Sequence, residues 1–240
     1  MCVQTHTALA ALAYTCLHPG AYVPVVAFSA GACWAGTIVW QAALDLSDYL
    51  SRHHAGQLAG GATVVELGCG IGVPGMVAHL LGASAVLTEQ AELLGLLRRN
   101  LAANFGVAHA SASQVSSRRR TAPFISAAQL DWATDDPRAL LRDHFEGAHP
   151  DFILSADCIY EPLYGESWKA LVTALRGLCG PHTRALVCVE RRTADGINGF
   201  LDAARGAGLE VTLPHASGAS GVPIELYEMR QPPRHGGSDR

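Results

Sequence analysis

The sequence predicts an α/β fold, a mostly parallel sheet covered by helices on both faces and closed by a C-terminal antiparallel hairpin. Three observations carry this reading. Thr63-Val-Val-Glu-Leu-Gly-Cys-Gly-Ile-Gly-Val-Pro-Gly75 is an apolar run ending in an acid, followed by four glycines and a helix start. Helical and strand signals alternate from Val39 onward, as in a parallel sheet whose crossovers are helices. After Gly208 the pattern changes to two short alternating stretches, Leu209/Val211/Leu213 and Ile224/Leu226/Glu228, separated by a Ser/Gly turn.

The elements follow in order. Val39, Ala43, Leu46 and Leu50 form one helical stripe, with Asp45, Asp48 and Arg52 on the other side. Thr63–Leu67 is the first core strand, and Ala85–Glu89 is the second. Leu93, Leu97 and Leu101 mark a helix that turns Arg98 and Arg99 outward. Phe124 to Leu130, Asp151 to Ala156 and Arg184 to Val189 are three further strands. Trp168, Leu171, Val172, Leu175 and Leu178 mark a helix between the last two. Ile197, Leu201 and Ala204 mark another that ends near Gly208. No internal repeat is present.

Gly68, Gly70 and Gly72 stand where the backbone must turn with positive φ or let a ligand approach. Pro74 suits the first turn of the following helix. Free N–H groups at such a helix end favour an anionic group. Gly70-Ile-Gly-Val-Pro-Gly75 also satisfies the G-x-G-x-x-G pattern of dinucleotide loops, a weak signal by itself. Glu66 separates the readings, because a dinucleotide loop does not require an acid there and a cationic ligand would welcome one. Glu89, at the end of the second strand, stands where a carboxylate can accept both hydroxyls of a ribose. It reads equally as an acid at the N-terminus of the helix beginning near Gln90.

With 240 residues, 49% hydrophobic and 16% charged, the chain can bury a sizeable core in one domain. A formal charge of −4 leaves no electrostatic footprint for nucleic acid. The basic run Arg118-Arg119-Arg120 lies in a Ser/Ala-rich stretch and reads as a solvated loop. Seven cysteines without a C-x-x-C pair suit neither a disulfide framework nor a zinc site, and point to a reducing compartment. Cys158 reads as a small buried residue. Eleven histidines lack the spacing of a helical metal pair, so no metal is expected. The apolar segment from Ala8 to Leu17 has no basic flank and is too short to span a bilayer. No membrane association is expected, and the stretch from Gln231 to Arg240, rich in Pro, Gly and charge, reads as disordered.

Four local patterns, Gly36-Thr-Ile-Val-Trp40-Gln-Ala-Ala43, the glycine loop, Leu130-Asp-Trp132 and Asp151-Phe-Ile-Leu-Ser-Ala-Asp-Cys-Ile-Tyr160, occur in one order. Together they resemble the seven-stranded, Rossmann-like S-adenosylmethionine (SAM)-dependent methyltransferases, and within them the family-16 protein-lysine methyltransferases. Asp157-Cys-Ile-Tyr160 looks like the D-x-x-Y signature of that group. The resemblance covers roughly Gly36 to Met229, making residues 36–230 the catalytic domain and 1–35 an extension packed on it. It implies that Trp40 borders the methionine end of SAM and that Gly68, Cys69, Gly70 and Gly72 wrap it, with Glu66 behind. Glu89 would hold the ribose, Asp131 and Trp132 would flank the adenine, and Ala156 would line the pocket. Asp157 and Tyr160 would orient an acceptor lysine. The chain departs from the pattern at Gln41, Glu89 and Ala133, where the family has an acid or Pro, Asp and Gly respectively. Outside that pattern, Trp40 and Trp132 would equally suit core or rim packing, and Asp157 a turn cap.

The expectation is a monomeric enzyme of the cytoplasm, with the nucleus as the alternative, transferring methyl from SAM to a lysine of a protein partner. A small-amine N-methyltransferase and a SAM-binding protein without catalysis are the alternatives.

Overall fold

The structure is a computed structural model, and it describes residues 11–15, 22–26, 35–106, 122–218, 221 and 223–232. The Arg118–Arg120 loop, half of the Ala8–Leu17 segment and the chain beyond residue 232 lie outside the described residues. Of the segment expected to be disordered, Gln231 is anchored, its Nε2 donating to the Cys179 carbonyl at 2.6 Å.

A hairpin of β1 (Ala11–Thr15) and β2 (Tyr22–Val26) comes first, and β2 runs beside two later helices, α3 (Val73–Leu80) and α4 (Ala91–Phe105). Then follow a 3-10 turn (Ala35–Thr37), α1 (Gln41–His53), α2 (Ala55–Ala59), β3 (Thr63–Leu67), α3 (Val73–Leu80), β4 (Ser84–Glu89) and α4 (Ala91–Phe105). The second half runs β5 (Ile125–Gln129), α5 (Arg138–Phe145), β6 (Phe152–Ala156), α6 (Glu161–Tyr164), α7 (Trp168–Leu178), β7 (Arg184–Glu190), α8 (Ile197–Gly206), β8 (Glu210–Ser217) and β9 (Ile224–Arg230).

Seven strands form one sheet in the order β5-β4-β3-β6-β7-β9-β8. The first five of these are parallel, and β9 runs antiparallel to both β7 and β8. The expected hairpin is therefore present, with its second strand inserted beside β7 and its first left on the edge. Alternate residues of a strand face opposite sides, which sorts the apolar runs onto two faces. Val64, Leu87, Phe152 and Leu154 meet Leu46 and Leu50 of α1, Met76 of α3 and Leu97 of α4. Val65, Val86, Ile153 and Val187 meet Leu141 of α5, Leu171 and Leu175 of α7 and Phe200 of α8. Helix α5 has no counterpart in the sequence reading. Its eight residues carry only Leu140, Leu141 and Phe145 as a buried stripe, too short a run for periodicity to stand out.

From β3 the chain steps outward to β4 and β5, then returns to the other side of β3 with β6. Ligands of open sheets bind in the crevice beyond the strand ends where the direction of winding reverses. Here that crevice lies between β3 and β6. Phe200 is fully buried against the sheet. Phe200→Ala should cost about 3 to 5 kcal/mol of unfolding free energy through lost transfer energy and a residual cavity, measurable by urea denaturation.

Candidate active site

At the switch point lies a cavity of about 420 Å³, built from the ends of β3, β4 and β6, the segment before α1, and the loop after β5. The glycine loop is its floor. Gly70 and Gly72 have φ of 53° and 84°, the left-handed region that favours glycine. A Cβ on Gly70 would lie 2.9 Å from the Gly36 carbonyl oxygen, and one on Gly68 would lie 2.8 Å from the Trp132 ring and the Cys158 sulfur. The loop is thus closed on both sides by the walls of the cavity.

Two carboxylates hold it. Glu66, buried at the end of β3, accepts the Gly75 N–H of α3 at 2.8 Å. Glu89, at the end of β4, accepts the Gly70 N–H at 2.8 Å through one oxygen and the Gln90 N–H at 2.9 Å through the other. N–H groups that could have met an anionic ligand therefore meet the chain's own acids. Burial pushes the Glu66 carboxyl up to about 8, against the pull of the Gly75 N–H and with the push of Glu89. Burial also raises Glu89, against its two backbone hydrogen bonds. Neither acid has a basic partner among the described residues. Such a wall suits a ligand with a cationic group and hydroxyl donors, and with the Gly70 and Gly75 N–H groups already taken it offers little to a pyrophosphate, which argues against the dinucleotide reading.

Gly68, Cys69, Asp131, Trp132 and Ala156 line the cavity with Glu66, Gly70 and Glu89. Asp131 ties the turn after β5, its carboxylate accepting the Ala133 N–H at 2.9 Å. The Trp132 Nε1 is buried with no hydrogen-bond partner among the described residues, a donor left for a ligand. Trp40, the residue before α1, is also in the wall, with its Nε1 donating to the Ala35 carbonyl at 2.9 Å.

Two placements correct the sequence reading. Gly72 does not line the cavity; a Cβ there would meet Leu87 and Leu97 at 2.6 and 2.9 Å, so it serves the packing of loop on sheet and α4. Tyr160 does not line it either. It precedes the one-turn helix α6, which brings Tyr164 into the wall instead. Only the docked position of α6 shows which of the two tyrosines faces inward. Cys158, read as a buried small residue, puts its side chain in the cavity wall. Burial pushes its thiol up to about 12, so it is no nucleophile at neutral pH.

Asp157 does line the cavity, with its side chain 2% exposed. Its backbone stands at φ 54°, a conformation Asp adopts more readily than most residues. Arg192, absent from the sequence reading, grips its carboxylate through Nη1 to Oδ1 at 3.0 Å and Nη2 to Oδ2 at 2.6 Å. No sequence spacing pairs these residues, because Arg192 arrives from the loop after β7. Among the described residues no cluster of His, Cys, Asp and Glu could hold a metal.

A seven-stranded sheet of this order, with a ligand cavity at its switch point, defines the SAM-dependent methyltransferase class of folds. A solved magnesium protoporphyrin IX methyltransferase from Synechocystis, with S-adenosylhomocysteine (SAH) bound, superposes with a TM-score of 0.52 over 80% of this chain and 83% of that one, at 13% identity. The chain belongs to the lysine methyltransferase family, which it matches over residues 29–205. It is 45% identical over 133 residues to secreted RxLR effector protein 48 of Plasmopara viticola, covering 54% of this chain and 64% of that protein. It is 30% identical over 163 residues to EEF1A lysine methyltransferase 3 of Xenopus tropicalis, covering 68% of this chain and 61% of that one. The chain thus spans about three fifths of the length of the relatives it matches. The methyl donor of the class is S-adenosylmethionine, and the acid-lined cavity fits it.

Two outcomes test this wall. The folded chain keeps Glu66 protonated up to about pH 8, whereas the unfolded chain ionises it near 4.5. The Glu66 contribution to stability is therefore full below the unfolded value and is lost as pH rises through the folded one. Glu66→Gln, which keeps an acceptor for the Gly75 N–H, should gain thermal stability over the parent progressively between those values, as read by melting curves across pH. Glu89→Ala should weaken SAH binding by about tenfold or more in calorimetry, since hydrogen bonds to a charged group contribute about 1.5 to 3 kcal/mol.

Proposed function

We propose that this chain transfers the methyl group of SAM to a lysine side-chain amine of a protein partner. One observation carries the reading: in a chain of the lysine methyltransferase family, the acid-lined cavity continues to Asp157, a fixed acceptor at the far end of its wall. Glu89 would hold the ribose hydroxyls and Trp132 would cover the adenine. Trp40 and the glycine loop would bound the methionine end, with Glu66 near its amino group. SAM supplies an already activated methyl group, so the chain's own task is alignment and the exclusion of water.

Lysine, with a pKa of about 10.4, is neutral in fewer than about one molecule in a thousand at pH 7. An apolar passage favours the neutral amine by desolvating the ammonium. Ile38, Val39 and Leu93 provide such lining. Asp157 would accept an N–H of the neutral amine and point its lone pair at the donor. Of the lining residues, Ile38 and Tyr164 are 48% and 38% exposed. Exposed apolar lining of this kind supports contact with a protein surface and favours a protein acceptor over a small amine. The free thiols of Cys69, Cys158, Cys179 and Cys188 support action in a reducing compartment such as the cytoplasm.

The test is labelled SAM incubated with the protein and a cell extract, followed by mass spectrometry of the labelled band. Methyl-lysine is the expected product; label on arginine, on an N-terminus or only on free metabolites would overturn the lysine assignment. On the same target Asp157→Asn, which tolerates the left-handed backbone, should lower kcat by about a hundredfold through misplacement of the amine. SAH affinity should stay near the parent value.

A further inference from the structure

Arg192 joins more of the acceptor end of the cavity than any residue the sequence singled out. Its guanidinium makes the two-pronged pair with Asp157 and a third bond from Nη2 to Glu190 Oε2 at 2.7 Å. The carbon of the guanidinium lies 5.3 Å from the Trp40 ring centre and 5.2 Å from that of Tyr160. Its backbone N–H donates to Asp195 Oδ2 at 3.0 Å, which fixes the loop that delivers it. The side chain is 19% exposed. Planar guanidinium suits this place, because it can fork onto a carboxylate while lying near aromatic rings, which an ammonium cannot do in the same geometry.

A carboxylate offers about four lone-pair directions. Asp157 Oδ1 accepts from Arg192 Nη1 and from the Glu190 N–H at 3.2 Å, and Oδ2 accepts from Arg192 Nη2. One of the four directions, on Oδ2, is filled by no hydrogen bond from the chain. A bare buried carboxylate would orient an amine but would also hold it as ammonium, whose lone pair is not available. A carboxylate paired with a guanidinium keeps its remaining acceptor and has part of its charge offset, the rest of the guanidinium charge here meeting Glu190. Its preference for the charged amine falls accordingly.

We propose that Arg192 is the positioning residue of the acceptor half of the site. It restricts Asp157 to one free lone pair and, shared with Glu190, offsets part of its charge, so that Asp157 orients the acceptor amine with a weaker preference for its charged form. It also sets the places of Trp40 and Tyr160, which gives Tyr160 a role outside the cavity wall. The alternative is an ion pair that only fastens the loop after β7 to the end of β6. The proposal rests on the cavity being a site of amine methylation, and the test separates failure of that reading from its own.

The variants are Arg192→Gln, Arg192→Lys and Arg192→Gln combined with Asp157→Asn. Each is scored for SAM and SAH affinity by calorimetry, and for kcat and KM on whichever acceptor the parent protein labels. In Arg192→Gln the uncovered carboxylate faces the positive sulfur of SAM and not the neutral sulfur of SAH. The ratio of SAM to SAH affinity should therefore rise severalfold, with SAH affinity little changed, and the double variant, in which only Glu190 stays uncovered, should bring the ratio most of the way back. Arg192→Gln should lose about a hundredfold in kcat, the scale of a small misplacement of reacting groups, with acceptor KM little changed. Arg192→Lys should restore the affinity ratio and only part of kcat, having the charge without the fork. An unshifted ratio in Arg192→Gln, or loss of SAH binding in parallel with kcat, would overturn the proposal. Label on a non-lysine acceptor defeats the lysine reading alone, since the same comparison still applies. If the parent labels no acceptor, the affinity ratio decides.

Discussion

The site depends on two carboxylates at the ends of adjacent parallel strands. Glu66 and Glu89 hold the glycine loop by its N–H groups, one at the start of α3 and one within the loop. A glycine-rich turn has little side-chain packing of its own to fix it, so these bonds supply its shape. They also set the charge of the cavity, since both acids are buried without a basic neighbour among the described residues. Burial favours their protonated forms, and a ligand bearing a cation lowers that penalty. The same interaction therefore shapes the loop and selects the ligand.

The other end of the cavity is organised by opposite means. There a buried carboxylate has a guanidinium, and the guanidinium lies beside two aromatic rings. The pairing joins the end of β6 to the loop after β7, and through Trp40 to the start of α1. Breaking such a buried pair from one side leaves an uncompensated charge, which costs more than the pair contributes. The end lined by unpaired acids and the end held by a guanidinium share one cavity across the switch point. The sheet supplies that arrangement, because β3, β4 and β6 all end on the same side.

Much of this was legible in the residues. The apolar runs at Thr63–Leu67, Ala85–Glu89, Asp151–Ala156 and Arg184–Val189, each within a residue of an observed strand, were visible because strands buried on both faces read as near-continuous hydrophobic stretches. The final hairpin was visible because its alternation breaks the preceding rhythm, yet its placement with β9 inside and β8 on the edge was not. Local pattern defines a strand, whereas its neighbours are chosen by competition for hydrogen bonds across the whole sheet.

The sequence by itself determined the glycine loop, the acid before it, the acid closing β4 and the order of the four motifs, because each is a local pattern within a few residues. Tertiary structure alone decided that Gly72 packs against Leu87 and Leu97, and that Tyr164 rather than Tyr160 enters the wall. It alone brought Arg192 onto Asp157, a pair separated by 35 positions. Such contacts join separate loops after β6 and β7. The docking of their strands, helices and loops brings them together, and no spacing along the chain encodes that docking.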